Sequence, residues 1–212
     1  MIGEKLSRYC NICRRSTLQE SVFGYTSPIQ VRFPDRFEGM VFFGYEAFKC
    51  SFCSSISMRV VAACSPGVQI YETWYPPEII RHIPSWWGDL KDSEIKSLAE
   101  EVYSSLDHGN TRVAAMGIRT LIEHISEDKT GETGSFRAKI RALLAEGILN
   151  PAGSEILSTV LEFGHAAVHR KYAPSVQDVA RALSIIENLI DQIYVIPPIA
   201  TELKNNVPPR PS

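Results

Sequence analysis

Four cysteines in two Cys-x2-Cys pairs are the residues of this chain best suited to chemistry. The pairs are Cys10 with Cys13 and Cys50 with Cys53, in the first quarter of the sequence. Two intervening residues let both thiolates of a pair point into one small space, and two such pairs complete a tetrahedral shell of four sulfurs for Zn²⁺. The spacing therefore predicts one structural zinc ion held by all four cysteines.

Other uses of these cysteines fit the sequence less well. Two disulfides would require an oxidising compartment, but residues 1–9 are charged and polar and lack the apolar core of a signal peptide. A redox Cys-x2-Cys would require a βαβ context and would not explain a second copy. The fifth cysteine, Cys64, follows the apolar run 60–63, and we expect it to be a buried thiol rather than a ligand.

The segment between the two pairs is long enough to contain strands of its own. β-prone runs occupy 22–25, 29–33, 41–45 and, after the second pair, 57–63. They are separated by Pro28, Pro34 and Gly39. This alternation predicts a zinc ribbon with an insertion over residues 1–70.

His165 and His169 form the second group with chemical potential. They are four residues apart in a predicted helix and therefore lie on one face. They could be two ligands of a second metal, but the helix lacks the glutamate of the zinc hydrolase motif and a third ligand is not evident. They could also be a general acid and base, or structural residues in a helix where Gly164, Ala166 and Ala167 permit close packing. The residues alone leave these alternatives open.

Arg119 and Glu123 are also four apart on one helical face, and His124 follows directly. Such a pair is usually a surface ion pair of small energetic effect. Because Ile118 and Leu121 flank the pair, the alternative is a partly buried Arg–Glu pair facing the histidine helix. There it would orient an imidazole or bind a phosphate.

Composition is that of a globular protein without a strong charge signal. The chain has 212 residues, 44 % of them hydrophobic, and a net charge of −2. This suffices for one core plus a small metal-held module, and no run is long enough to cross a membrane, so we expect a cytoplasmic protein.

Residues 1–70 carry 8 Lys and Arg against 5 Asp and Glu. If bulk charge attracts RNA or DNA anywhere, it does so here, through Arg8, Arg14, Arg15, Arg32 or Arg36.

Beyond residue 70 the pattern changes twice. Residues 71–90 are rich in proline and contain Trp74, Trp86 and Trp87, which predicts a strap held to the helical domain by aromatic burial, with a base-stacking platform as the weaker alternative. Residues 91–196 show helical periodicity. We expect helices capped at Asp92 or Ser93, Asn110, Ser135, Asn150 and Ser175, with Val113 and Met116 of the second facing inward. Pro197 and Pro198 should end the last helix and leave a Pro-rich tail over 197–212 that is disordered or lies on a partner.

The order of these motifs resembles the family of the domain of unknown function 4145. The resemblance runs from Cys10 to about Tyr194 and rests on these segments: the two cysteine pairs, 75–77, 119–123, 136–140 with Leu143 and Gly147, and 164–169. This family usually has Gly-Asn where the chain has Gly164-His165. It is similar to the HEPN superfamily of helical bundles, which occurs in restriction enzyme subunits, toxin–antitoxin pairs and phage-defence proteins.

The HEPN resemblance implies a homodimer through the helical domain and a metal-independent RNase. Its motif is an arginine, four to six residues, and a histidine. His169 stands at the position of the presumed catalytic histidine, but the required arginine is missing because positions 162–164 are Glu, Phe and Gly. Without a cation at the scissile phosphate such an RNase loses its main electrostatic stabiliser, so Arg119 or Arg170 would have to supply the charge.

We therefore expect an α+β protein, with a small β zinc ribbon over 1–70, a strap over 71–90, an all-α HEPN-like bundle over 91–196 and a Pro-rich tail over 197–212. The predicted function is a binding or regulatory protein of phage defence, restriction or nucleic-acid metabolism. Its predicted partners are RNA or DNA, or a defence or restriction protein. The alternative is a metal-independent endoribonuclease that uses His169 and His165 as acid and base, with Arg119 and Glu123 beside them.

Overall fold

The structure is a computed structural model that describes residues 2–32, 38–64, 68–131 and 133–208. Pro34, Arg36 and the last four residues of the predicted tail lie outside these ranges, as does the side chain of Arg32. The chain forms two compact units, Met1–Ile79 and Ile80–Ser212. Within the described ranges, no helix combines the length and the apolar character that a membrane crossing requires.

The first unit is one antiparallel sheet of five strands in the order in which they follow along the chain. The strands are β1 Lys5–Cys10, β2 Arg15–Arg32, β3 Glu38–Cys50, β4 Ile56–Cys64 and β5 Val68–Tyr75. Each strand pairs with the next, and the sheet curves into a half-barrel. The strands predicted between the two cysteine pairs are therefore present. β5, however, occupies the first residues of the segment predicted to be a strap.

Pro28 does not interrupt the sheet as the sequence suggested. It lies inside β2, opposite Phe42 of β3. β1 pairs with β2 only from Arg15 to Glu20, so the outer edge of β2 beyond Glu20 has no described partner strand. Because an edge position requires no N–H donor toward a neighbour, proline is tolerated there and β2 continues for 18 residues.

The second unit is helical. Its helices are α1 Ser93–Asp107, α2 Thr111–Thr130, α3 Phe136–Ala145, α4 Pro151–His169, α5 Val176–Ile190 and α6 Ile196–Asn206. The five predicted N-caps stand at the starts of α1 to α5. At α5, for example, the Asp178 N–H donates to the Ser175 hydroxyl, which in turn donates to the Asp178 carboxylate.

The core of this unit surrounds α2, which contacts α1, α3, α4 and α5. Its buried face contains Ala114, Ala115 and Ile118. The prediction that Val113 and Met116 face inward is wrong, because their exposed fractions are 56 % and 44 %. Because α2 has neighbours on several sides, small alanines are favoured at the closest approaches, and Ala114 and Ala115 occupy the buried positions instead.

The three tryptophans have different locations. Trp87 is buried in the helical core and meets Tyr103 edge-to-face, with ring centroids 5.7 Å apart. Trp86 packs against the same core, so the predicted aromatic anchoring is confirmed for both. It is wrong for Trp74, which lies in β5 and packs on Phe48 of the sheet at 5.2 Å.

The predicted end of the last helix at Pro197 is also wrong. A π-helical turn, Asp191–Val195, follows α5, and α6 then continues to Asn206. Pro197 and Pro198 lie in the first turn of α6, where backbone N–H groups have no intrahelical acceptor and proline costs little. Residues 197–206 are therefore helical rather than disordered.

Candidate metal centre and polar cleft

Each cysteine pair lies in a tight turn between two strands. The first turn links β1 to β2 and the second links β3 to β4. In each, the residue after the second cysteine has a left-handed backbone, with φ 54° at Arg14 and 63° at Ser54. Their N–H groups donate to the carbonyls of Cys10 and Cys50, at 2.8 and 3.0 Å. The two turns thus have the same geometry, which directs both sulfurs of a pair to one side.

Strand pairing brings the two turns together. Gln19 of β2 lies opposite Cys50 of β3, so the first turn is next to the second. The sulfurs of Cys10 and Cys53 are 3.6 Å apart, those of Cys13 and Cys50 are 3.9 Å apart, and all four lie within 4.8 Å of one another. Tetrahedral Zn–S bonds of about 2.3 Å require sulfur separations of roughly 3.8 Å. The predicted four-cysteine cluster is therefore present, and it has the size of a metal site.

The electrostatics of the cluster favour a bound cation. Burial alone would raise the pKa of Cys50, but hydrogen bonds from the Cys53 N–H, the Thr17 hydroxyl and the Phe52 N–H lower it to about 6. Loss of solvent, together with the adjacent sulfurs, raises the pKa of Cys13 to about 12. Four thiolates this close cannot all be charged unless a cation neutralises them. Cys64 is not part of the cluster.

The two histidines are adjacent near the end of α4. Their ring centroids lie 4.5 Å apart, as expected for a spacing of four residues. His169 is the last residue of α4 and is exposed, whereas His165 is half-buried. The Nδ1 atom of His165 is fully buried and has no hydrogen-bond partner among the described residues. Because it is cut off from solvent, this nitrogen is a buried unsatisfied polar atom of the fold.

Arg119 lies on α2 directly against α4. A Cβ added to Gly164 would meet the Arg119 Cβ at 2.9 Å and the Ala115 carbonyl at 3.1 Å, so only glycine permits this approach. The Arg119 guanidinium lies 4.0 Å from the centre of the Phe136 ring, and its Nε is 3.5 Å from the Glu123 carboxylate. The predicted Arg–Glu pair is thus present, long and only partly buried.

Arg119 and His165 both line an open cleft bordered by α2, α3 and α4. His169 and Glu123 do not line it, so the structure brings together two of the four predicted site residues there. The cleft also includes Arg137 and Arg141, which the sequence analysis did not select. Their spacing of four residues on a short helix was the available signal, since it places both on one helical face.

The sheet presents a face made of four cross-strand rows, which we call the apolar sheet face. The rows are Phe23, Ala47, Met58 and Tyr75; Tyr25, Tyr45, Val60 and Thr73; Ser27, Phe43, Ala62 and Tyr71; and Ile29, Val41, Cys64 and Val68. No charged residue occurs in these rows. Tyr25 and Ile29 are 59 % and 46 % exposed, whereas the central Val41 and Ala62 are buried. The charged pair Glu46 and Arg59 lies on the opposite face.

Comparison with known proteins gives one family. The model of a domain of unknown function, DUF4145, matches residues 100–206, which is half of the chain and extends from α1 to α6. The match includes Arg119, Glu123, His165 and His169 but not the cysteine cluster. Neither the curated proteins nor the solved structures contain a match to this chain.

Proposed function

The chain belongs to the DUF4145 family, and from that premise we propose that it is a non-catalytic binding or regulatory protein whose sheet, held by one structural Zn²⁺ on Cys10, Cys13, Cys50 and Cys53, recognises another protein. The apolar sheet face is the observation that carries this proposal. Large exposed side chains such as Phe23, Tyr25 and Tyr71 form a continuous surface there. Monomeric proteins rarely expose apolar patches of this kind unless a partner covers them.

The chemistry of the face selects the class of partner. Its rows lack charged residues, so they offer no cation to neutralise a phosphate, and RNA or DNA binding at this face is disfavoured. Tyrosine, phenylalanine and methionine, which these rows contain, are enriched at protein interfaces. The partner is therefore a protein with an apolar, uncharged contact surface. A protein of restriction or phage defence is the partner that the family resemblance implies.

Zinc contributes the scaffold of this surface. β2 and β3 extend from the two cysteine turns, and the first row of the apolar sheet face, at Ala47, lies three residues before Cys50 on β3. A single-layer sheet buries few side chains, so metal bonds are a main source of its stability. Loss of the metal would therefore disorder the recognition surface as well as the turns.

A paired substitution tests the proposed recognition surface. Tyr25→Lys places a charge on the apolar sheet face, and Thr26→Lys places the same charge on the adjacent residue, which is exposed on the opposite face. Both variants, with the wild type, are used as zinc-loaded bait in extracts of the source organism, with quantitative mass spectrometry. A protein retained by wild type and Thr26→Lys but lost with Tyr25→Lys supports the proposal. Equal recovery by the two variants contradicts it.

The HEPN-like assignment and the homodimer of the helical unit belong to the same proposal. α6 supports the dimer, because Ile196, Ile199 and Leu203 are spaced three and four residues apart and are 47 %, 42 % and 61 % exposed. No described residue of α6 is buried. A helix with such a stripe gains stability by packing against another helix.

A second candidate is a metal-independent RNase, favoured by the shared cleft of Arg119 and His165. His165 would act on the proton of the nucleophile or leaving group, with His169 adjacent, and Arg119 would bind the phosphate. The test is incubation of the protein with mixed RNAs, with and without EDTA, beside His165→Ala and His169→Ala. Cleavage that persists in EDTA and is lost in both variants supports the RNase. Unchanged cleavage in the variants indicates a contaminant.

A further inference from the structure

The cleft between α2, α3 and α4 is the part of the helical unit best suited to a small ligand. It has a volume of about 470 Å³. Three arginines line it, Arg119 from α2 and Arg137 and Arg141 from α3, opposite His165 of α4. This volume lies within the range of sites that bind small molecules and cofactors, roughly 300–1,000 Å³.

Positive charge in the cleft is largely unpaired. Arg137 and Arg141 are exposed, and no carboxylate in the described ranges forms an ion pair with either. Among the described residues that line the cleft, the one that is acidic is Glu162, which is paired with Arg170 at 2.6 Å. Two guanidinium groups four residues apart on one helix can therefore bind the same anion, since neither has to release a carboxylate first.

Arg119 and His165 are already positioned for a ligand. Stacking on Phe136 at 4.0 Å restricts the Arg119 guanidinium before anything binds, which lowers the entropic cost of binding. Its contact with Glu123 is long, at 3.5 Å, and easily exchanged. His165 lines the same cleft, so its imidazole ring lies within reach of a ligand bound there.

The charge of the residues outside the cleft indicates whether its ligand is a small anion or a long polyanion. Residues 80–212 carry 14 Lys and Arg against 17 Asp and Glu, so the unit as a whole is acidic. A long polyanion needs a basic track, which the bulk charge of this unit does not favour, whereas a small anion needs only the cleft. We propose that this cleft binds a phosphorylated ligand of nucleotide size, with its phosphate on Arg137 and Arg141 and its remaining polar groups near Arg119 and His165.

This site is separate from the apolar sheet face, and the proposal does not depend on the protein-binding function. Calorimetric titration of the full-length, zinc-loaded protein tests it with AMP, adenosine, inorganic phosphate and a short single-stranded RNA. The main variant is Arg137→Gln with Arg141→Gln. The matched control is Arg181→Gln, because Arg181 lies on α5, is 76 % exposed and has only a 3.6 Å contact with Asp178.

We expect AMP to bind, inorganic phosphate to compete with it, and adenosine to fail. The double variant should bind AMP at least roughly tenfold more weakly, since it loses two charge-assisted contacts, while Arg181→Gln binds as wild type does. Glu162→Gln should strengthen AMP binding by removing the negative charge from the lining. Equal binding of AMP and adenosine, or unchanged affinity in the double variant, would overturn the proposal. RNA that binds more tightly than AMP would also overturn it, in favour of a polymer surface.

Discussion

The imidazole ring of His165 lies 4.5 Å from that of His169, yet only His165 lines the cleft that Arg119 also lines. The two histidines are one helical turn apart, and the second one ends α4 at an exposed position. The residue with the buried, unsatisfied nitrogen is therefore not His169, which the HEPN resemblance predicted to be the catalytic histidine. Any chemistry of this cleft should depend more on His165 than on His169.

Removal of one metal ligand should unfold the sheet. We expect the wild type to contain one Zn²⁺ per chain and Cys10→Ser to contain less, because three sulfurs cannot complete a closed tetrahedral site. Metal analysis and the melting of the β-sheet signal by circular dichroism measure both effects. Cys64→Ser is the control, since Cys64 lies outside the cluster, and it should retain the metal. Full metal content in Cys10→Ser would refute a four-cysteine site.

A methyl group at Gly164 should separate α2 from α4. Its Cβ would lie 2.9 Å from the Arg119 Cβ and 3.1 Å from a backbone carbonyl, neither of which is a flexible chain end. We expect Gly164→Ala to lower the free energy of unfolding by about 1–3 kcal/mol. Gly153→Ala, on the same helix, is the control, because its Cβ would make ordinary contacts at 3.4 and 3.5 Å. Equal stability of the two variants in urea denaturation would contradict the close approach.

Glu187 anchors the start of the helical unit. Its carboxylate accepts hydrogen bonds from the Arg81 guanidinium and, at 2.6 Å, from the Tyr103 hydroxyl, whose pKa is raised by burial and by this bond. We expect Arg81→Met to cost about 3 kcal/mol of unfolding free energy, because it leaves a mostly buried carboxylate without its cation. Arg181→Met, which removes an exposed pair, should change it little. If chemical denaturation shows that both substitutions lower the free energy of unfolding equally, Glu187 does not stabilise this part of the fold as proposed.

Acid should remove the contribution that Asp128 makes to the stability of the folded protein. Hydrogen bonds from Lys129 and Tyr194 hold the pKa of this carboxyl below its ordinary value of 3.8. A lowered pKa in the folded state stabilises the protein above pH 3.8, and the stabilisation is lost as the pH falls through the folded-state pKa. The melting temperature of Asp128→Asn should therefore be lower than that of wild type at neutral pH and converge with it in acid. A constant difference in melting temperature between the two proteins at every pH would exclude this linkage.

The apolar stripe of α6 should control dimer formation. Leu203→Glu places a charge on the stripe at a residue that is 61 % exposed, so it should leave the fold intact but dissociate a dimer. Asn205→Glu adds the same charge to the same helix away from the stripe and is the control. Light scattering after size-exclusion chromatography gives the mass of each. A monomeric wild type, or a dimer that survives Leu203→Glu, would refute a dimer through α6.

Local features of this protein were predictable from the sequence. The four cysteines were identified as one ligand set because two residues between cysteines limit a turn to very few geometries. The caps at Asn150 and Ser175 were identified because a cap acts within its own first turn. These interactions span only a few residues, so the order of residue types was sufficient to predict them.

Features that depend on neighbours far apart in the sequence were not predictable. Pro28 is tolerated inside β2 because β1 is short, and Trp74 joins the sheet because β5 pairs with β4. The two prolines after α5 were expected to end the helix, but the π-helical turn before them starts a new one. In each case the outcome depends on which strand or turn adjoins the residue. The residue type alone is compatible with both the predicted and the observed structure.

The candidate sites divide in the same way. Residue types and spacing predicted the four-cysteine cluster, together with Arg119, Glu123, His165 and His169 as candidate site residues. Only packing placed Arg119 and His165 beside Arg137 and Arg141, and only strand register collected uncharged side chains on one face of the sheet. Spacing along a chain constrains contacts within a turn, whereas a cleft or a sheet face is formed by elements whose relative positions depend on the buried surface that they share.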